Sequence, residues 1–172
     1  MSREQTLHRR IRLWVWLFII GLVISGATAI PLQSEVHFLS KHFANSADNS
    51  LMSKWLLNVE HALDDVGSTH PLLFYGTDWL AFGHFIIALV FVGALHDPVR
   101  NKWLFTFGLI SCALVIPYAF VFGAVRGIPL FWRVIDCSFG VIGAIPLQLC
   151  RKYVNELEMK SASIAAAEHK VT

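Results

Sequence analysis

Charge is scarce in this chain and missing altogether from long stretches of it: Asp, Glu, Lys and Arg supply only 15% of 172 residues, while 55% are hydrophobic. That balance lies well to the apolar side of an ordinary soluble domain. Cysteine is also sparse. Cys112, Cys137 and Cys150 show no CxxC spacing, so neither a thiol-disulfide oxidoreductase nor a structural disulfide follows, and the three are expected to be small packing residues. There is no phosphate-binding glycine loop, no GxSxG elbow and no HExxH pair. Nor is there a nucleic-acid signature, and no nucleic-acid partner is expected.

What the chain does have is apolar sequence gathered into runs. A soluble domain divides its apolar residues by a helical or strand period. Here Leu13 to Ile30 carries no charge over 18 residues, and Trp79 to Leu95 holds His84 as its one ionisable group. Trp103 to Val125 follows with Pro117 inside it, and the fourth run lies within 128–150 and contains Arg133 and Asp136. A helix rising about 1.5 Å per residue crosses a hydrocarbon core of about 30 Å in about 20 residues, so each run is long enough, the second barely. Membrane β-strands would need many segments of about ten residues with alternating polarity, which these runs are not. The expected fold is all-α, a four-helix membrane bundle.

Basic residues orient it. Arg3, Arg9, Arg10 and Arg12 precede the first run, Arg100 and Lys102 separate the second from the third, and Arg151, Lys152, Lys160 and Lys170 follow the fourth. With four spans all of these fall on one side. On the other, residues 31–77 carry Lys41 and Lys54 against Glu35, Asp48, Glu60, Asp64 and Asp65, a net charge of −3. The positive-inside rule then puts both termini in the cytoplasm. Trp14, Trp16, Trp79, Trp103 and Trp132 lie near the run ends, where an indole suits the headgroup layer.

The expected organisation is a basic cytoplasmic N-terminus over 1–12, a membrane domain over 13–150 and a cytoplasmic tail over 151–172. Arg9 to Arg12 with Ala27-Thr28-Ala29 also resembles a signal peptide, a reading disfavoured by the length of the apolar stretch. Within the extracytoplasmic segment 31–77, Ser50 can cap a helix running to about Val66, with Met52, Trp55, Leu56, Val59, Leu63 and Val66 on one side and Gly67 as its stop. A shorter helix from Ser34 carries Val36, Leu39 and Phe43, and the two form an amphipathic cap on the membrane or the bundle mouth. The tail is expected to be a frayed helix.

Charges inside a bilayer cost about 2.5 to 3.5 kcal/mol each on insertion scales, so Arg133 and Asp136 need partners or a wet cavity. Three residues apart, they can pair on one helical face. His84 and Asp136 enter from the same side to a similar depth, and the four-span layout gathers Tyr118, Arg126, Glu35 and Asp78 near that level. This outward-facing cluster of His84, Asp136, Arg133, Arg126, Asp78, Glu35 and Tyr118 is the candidate site. It reads either as a hydrogen-bonded network tying helices together or as a pocket, with the arginines gripping an anion and His84 carrying a proton. No metal site is expected, since Asp78 and His84 point to different faces, and b-type haem lacks a second histidine within a span.

The stretches SGATAIPLQSEV, YGTDWLAFGHFIIA, LHDPVRNKW and RGIPLFWRVIDCSFGVIG together resemble an uncharacterised family of small bacterial polytopic membrane proteins. The resemblance implies a bacterial cytoplasmic membrane and carries over no activity, cofactor or substrate. The function expected is therefore an accessory or interaction subunit, partnered by another membrane protein or by copies of itself. The alternative is a membrane-embedded binding protein or enzyme for a lipid-soluble or anionic ligand, such as a lipid or quinone-like molecule.

Overall fold

The structure, a computed structural model, describes residues 3–44 and 50–168. Asp48 and Lys170, counted in the charge comparison above, lie outside the described residues. The chain is all-α, with six helices among the described residues: α1 Arg3–Ala29, α2 Leu32–Phe43, α3 Leu51–Thr69, α4 Tyr75–His96, α5 Lys102–Val125 and α6 Leu130–Glu168. A single 3-10 turn, Pro71–Phe74, leads into α4. Four stretches are long and apolar enough to cross a membrane: Arg3–Ala29, Pro71–His96, Lys102–Val125 and Leu130–Ser163. Each contains one of the four apolar runs of the sequence to within two residues at the run's ends.

Two compact units make up the chain, residues 1–21 with 88–172, and residues 22–87. The smaller unit is built around the α2–α3 hairpin. Ser50 caps α3 as expected, its hydroxyl oxygen accepting from the Ser53 N–H at 3.2 Å. Val36 and Leu56 are buried in the hairpin, and the buried Ser40 hydroxyl donates to the Leu56 carbonyl at 3.4 Å. Polar contacts bridge the outer edge: His37 Nδ1 lies 2.7 Å from Glu60 Oε1, and Gln33 Nε2 donates to Asp64 Oδ1 at 3.2 Å. Leu39 is half-buried, but Phe43 is exposed.

Gly67 does not stop α3, which runs on to Thr69. A Cβ on Gly67 would lie 2.6 Å from Gln33 Nε2, so the missing side chain makes room for the neighbouring helix. Pro71 ends α3 instead. A residue before proline is pushed out of the helical region, and His70 stands at φ −138°.

The larger unit contains residues 3–21 of α1, residues 88–96 of α4, and all of α5 and α6. Its core follows two spaced rows. On α1, Leu7, Ile11, Val15 and Ile19 recur every four residues and are all buried; on α6, Leu147, Cys150, Val154 and Leu157 alternate steps of three and four and are buried too. Cys150 Sγ donates to the Ile11 carbonyl at 3.7 Å, joining the rows.

The tail accordingly departs from expectation. α6 continues unbroken past Cys150, and its extension packs on α1 rather than fraying. Arg3 Nη2 pairs with Glu156 Oε1 at 2.6 Å, the Arg10 guanidinium stands 5.9 Å from the Tyr153 ring centre, and Lys102 Nζ of α5 pairs with Glu158 Oε1 at 2.7 Å. The residues before Leu13 are likewise helical, because Leu7 and Ile11 belong to the same buried row.

α5 and α6 approach closely at Gly140, where a Cβ would lie 2.6 Å from the Cys112 carbonyl oxygen. Phe91, Leu104 and Phe105 fill the space toward the Lys102 end of this unit and are essentially inaccessible.

Candidate functional site

The turn between α5 and α6 positions the charged residues of the fourth run. α5 ends in a pair of bonds that close helices around a left-handed residue: the Ile128 N–H donates to the Gly123 carbonyl at 2.8 Å and the Gly127 N–H to the Ala124 carbonyl at 3.2 Å. Gly127, at φ +69°, supplies the left-handed conformation that residues with a Cβ resist. The same turn takes up Arg133. Its Nε donates to the Ile128 carbonyl at 2.6 Å, and its stem lies where a Cβ on Gly123 would come within 2.8 Å of Cδ. Arg133 therefore ties the start of α6 to the end of α5.

The expected Arg133–Asp136 pair does not form. With Arg133 turned back to the helix start, the half-buried Asp136 has neither a hydrogen bond nor an ion pair among the described residues.

Asp136 instead faces a groove of about 640 Å³ that runs along α5. Two parallel rows at four-residue spacing form its floor: Ser111, Val115, Ala119 and Gly123, and beside them Leu114, Tyr118, Phe122 and Arg126. Ile128 closes one end, and Asp136 is the single contribution from α6. The Tyr118 and Phe122 rings lean together at 4.4 Å between centres. From Ser111 to Arg126 the groove extends about 22 Å by helical rise, with mostly apolar walls interrupted by Tyr118, Arg126 and Asp136.

Of the seven candidate residues, the structure thus brings Tyr118, Arg126 and Asp136 into one groove and sets Arg133 beside it in a holding role. Glu35, Asp78 and His84 belong to the smaller unit. Glu35 lies in the first turn of α2 and Asp78 in that of α4, positions where the helix dipole favours an acid. The half-buried His84 has Nδ1 2.8 Å from the Leu80 carbonyl oxygen, one turn back on its own helix.

Comparison with known proteins brings no match among family models, curated proteins or solved structures.

The chemistry open to the groove follows from its own groups. Arg126 can donate to an acceptor or anion, Asp136 can accept from a hydroxyl or cation, and Tyr118 can do either. The cysteines lie elsewhere in the packing: Cys137 is half-buried on α6, while Cys112 and Cys150 sit at helix contacts, and all three are free thiols. Sequence reasoning missed the small row Ser111, Val115, Ala119 and Gly123. Its signal was the four-residue spacing on α5, which lets a second helix or a ligand come close to the backbone.

Proposed function

We propose that this chain is a four-span protein of a bacterial cytoplasmic membrane with both termini inside, a helical bundle whose α2–α3 hairpin caps the extracytoplasmic side. We further propose that it binds a lipid-soluble, quinone-like molecule in the α5 groove. One observation carries this reading: an unpartnered carboxylate, Asp136, opens into a long apolar groove that also holds Arg126 and Tyr118. At six residues into α6, Asp136 lies about 9 Å along the helix, a depth at which an ionised, unpaired carboxylate is costly. A ligand whose head offers both an acceptor for Arg126 and a hydroxyl for Asp136 removes that cost, and an apolar tail fits along Leu114 and Val115. The volume suits it, since sites for small molecules commonly measure about 300 to 1,000 Å³ and pair apolar walls with a few polar groups.

The test is native mass spectrometry with an absorption spectrum on protein purified in mild detergent, followed by titration with a short-chain benzoquinone. Wild type should carry or take up such a molecule, and Asp136→Asn and Arg126→Gln should each lose it by about tenfold, the worth of one charge-assisted hydrogen bond.

A second reading, an accessory or interaction subunit, is favoured by how little of the apolar helices is covered, between 11% and 22% of each 18-residue apolar window. In that case a partner's helix lies in the groove and supplies the donor for Asp136. Protein that purifies empty and ignores the quinone in every variant would select this reading.

A further inference from the structure

The other end of the same helix pair carries a second groove, of about 540 Å³, lined by Lys102, Trp103, Thr106, Phe107 and Ile110 of α5 with Arg151 and Asn155 of α6. We infer that it is a binding site for an anionic phospholipid in the cytoplasmic leaflet, the phosphate held by Arg151, Asn155 and the Trp103 indole and an acyl chain lying on Phe107 and Ile110.

The argument rests on a gradient of polarity along one groove. Charged and hydrogen-bonding groups collect at the start of α5, and exposed apolar side chains follow within two turns, Phe107 and Ile110 among them. Ile110 lies about 12 Å beyond Lys102 by helical rise, which is the passage from headgroup level into hydrocarbon. Trp103, exposed at the helix start, marks that level.

The charges divide unequally. Lys102 is already held by Glu158, with Nζ 2.7 and 3.0 Å from its two oxygens. Arg151 is exposed and has no hydrogen-bond or ion-pair partner among the described residues, so its planar donors are available for a phosphate. A neighbouring groove of about 500 Å³ shares Arg151 and Asn155 and adds Lys152, so positive charge flanks this position on both sides while Glu158 is spent on Lys102. Basic pockets between spans on the cytoplasmic face are a recurrent way of gripping anionic headgroups. The inference rests on the proposed four-span reading with the start of α5 on the cytoplasmic side, and it stands whether or not the outer groove is filled.

The experiment is competitive native mass spectrometry on the full chain in detergent, offering phosphatidylglycerol and phosphatidylcholine with identical acyl chains, with inorganic phosphate as a third competitor. Wild type should retain phosphatidylglycerol about fivefold over phosphatidylcholine or better, and phosphate at the same concentration should not displace it. Arg151→Gln should lower that preference by about fivefold, the usual effect of one cation near an anionic surface, and Arg151→Lys should keep most of it. Arg9→Gln, an equal loss of charge on exposed α1 surface outside the groove, should leave it unchanged. Equal retention of the two lipids overturns the proposal without reference to any variant. Displacement by phosphate alone overturns it in favour of a soluble anion, and equal losses in Arg151→Gln and Arg9→Gln overturn it in favour of diffuse attraction.

Discussion

Replacing Gly140 by alanine should unsettle the α5–α6 pair by an amount the geometry allows to be worked out. The added Cβ would stand 2.6 Å from the Cys112 carbonyl oxygen and 3.4 Å from Val115 Cβ. An ordinary carbon-to-carbonyl contact is about 3.3 Å, so the helices must part by about 0.7 Å there. A gap of that size forfeits about a quarter to a half of the local dispersion energy, and forcing a methyl into a packed contact costs about 1 to 3 kcal/mol. Alanine also gains up to about 1 kcal/mol of helix propensity over glycine, which would mask part of the loss.

Gly83→Ala provides the reference, because nothing lies within 4 Å of its Cβ position and it collects the propensity gain without the clash. The difference between the two variants should be about 2 kcal/mol, or about thirtyfold in the folded-to-unfolded ratio. Titrating each in mixed micelles with a denaturing detergent, with circular dichroism as the readout, measures it. Equal midpoints for Gly140→Ala and Gly83→Ala would refute the close packing of α5 on α6.

Leu157→Ala should cost about 2 to 5 kcal/mol in the same titration, because the side chain is 5% exposed, whereas Met159→Ala, at 67% exposed, should stay within about 0.5 kcal/mol. Breaking the exposed Arg3–Glu156 pair with Arg3→Ala should change stability by less than about 1 kcal/mol, and raised salt should erase even that. Arg133→Ala should cost about 1 to 3 kcal/mol by leaving the Ile128 carbonyl without its donor, and it should spare benzoquinone binding in whatever fraction stays folded. Reporter fusions should place Asp48 outside and both Asn101 and Lys160 inside; a cytoplasmic Asp48 would refute four spans with both ends inside.

The helices were legible wherever a long apolar run or a short local rule governs them. The four runs each lie in one observed helix to within two residues at the run's ends, and Ser50 caps α3 because an N-cap depends on only a few neighbouring residues. Gly67 misled because a glycine is a helix stop only when nothing else demands its small size, and what demands it is Gln33, distant in sequence. The tail misled for a related reason. Its alternation of charge with alanine and serine reads as a solvated helix, while Val154 and Leu157 acquire meaning only against Leu7 and Ile11. In the site, Arg126, Tyr118 and Asp136 were picked out as polar residues in apolar sequence, and they share a groove. The pairing of Arg133 with Asp136 was suggested by spacing alone. The nearby Ile128 carbonyl competes for the guanidinium, and spacing along α6 carries no information about that.

The ion pair between Arg3 and Glu156 joins residues 153 positions apart. That separation has a consequence for biosynthesis. When α1 leaves the ribosome, the surface that will cover Leu7 and Ile11 has not yet been translated, and it is completed only once the ribosome has passed Leu157. Over that interval, at about 5 to 20 residues per second, the first helix must wait roughly six to twenty-six seconds with an uncovered apolar stripe along its first turns. Contacts closed so late carry a high loop-closure cost. A chain truncated after Cys150 should therefore insert its spans yet leave the start of α1 uncovered, exposed to proteases and insertion chaperones.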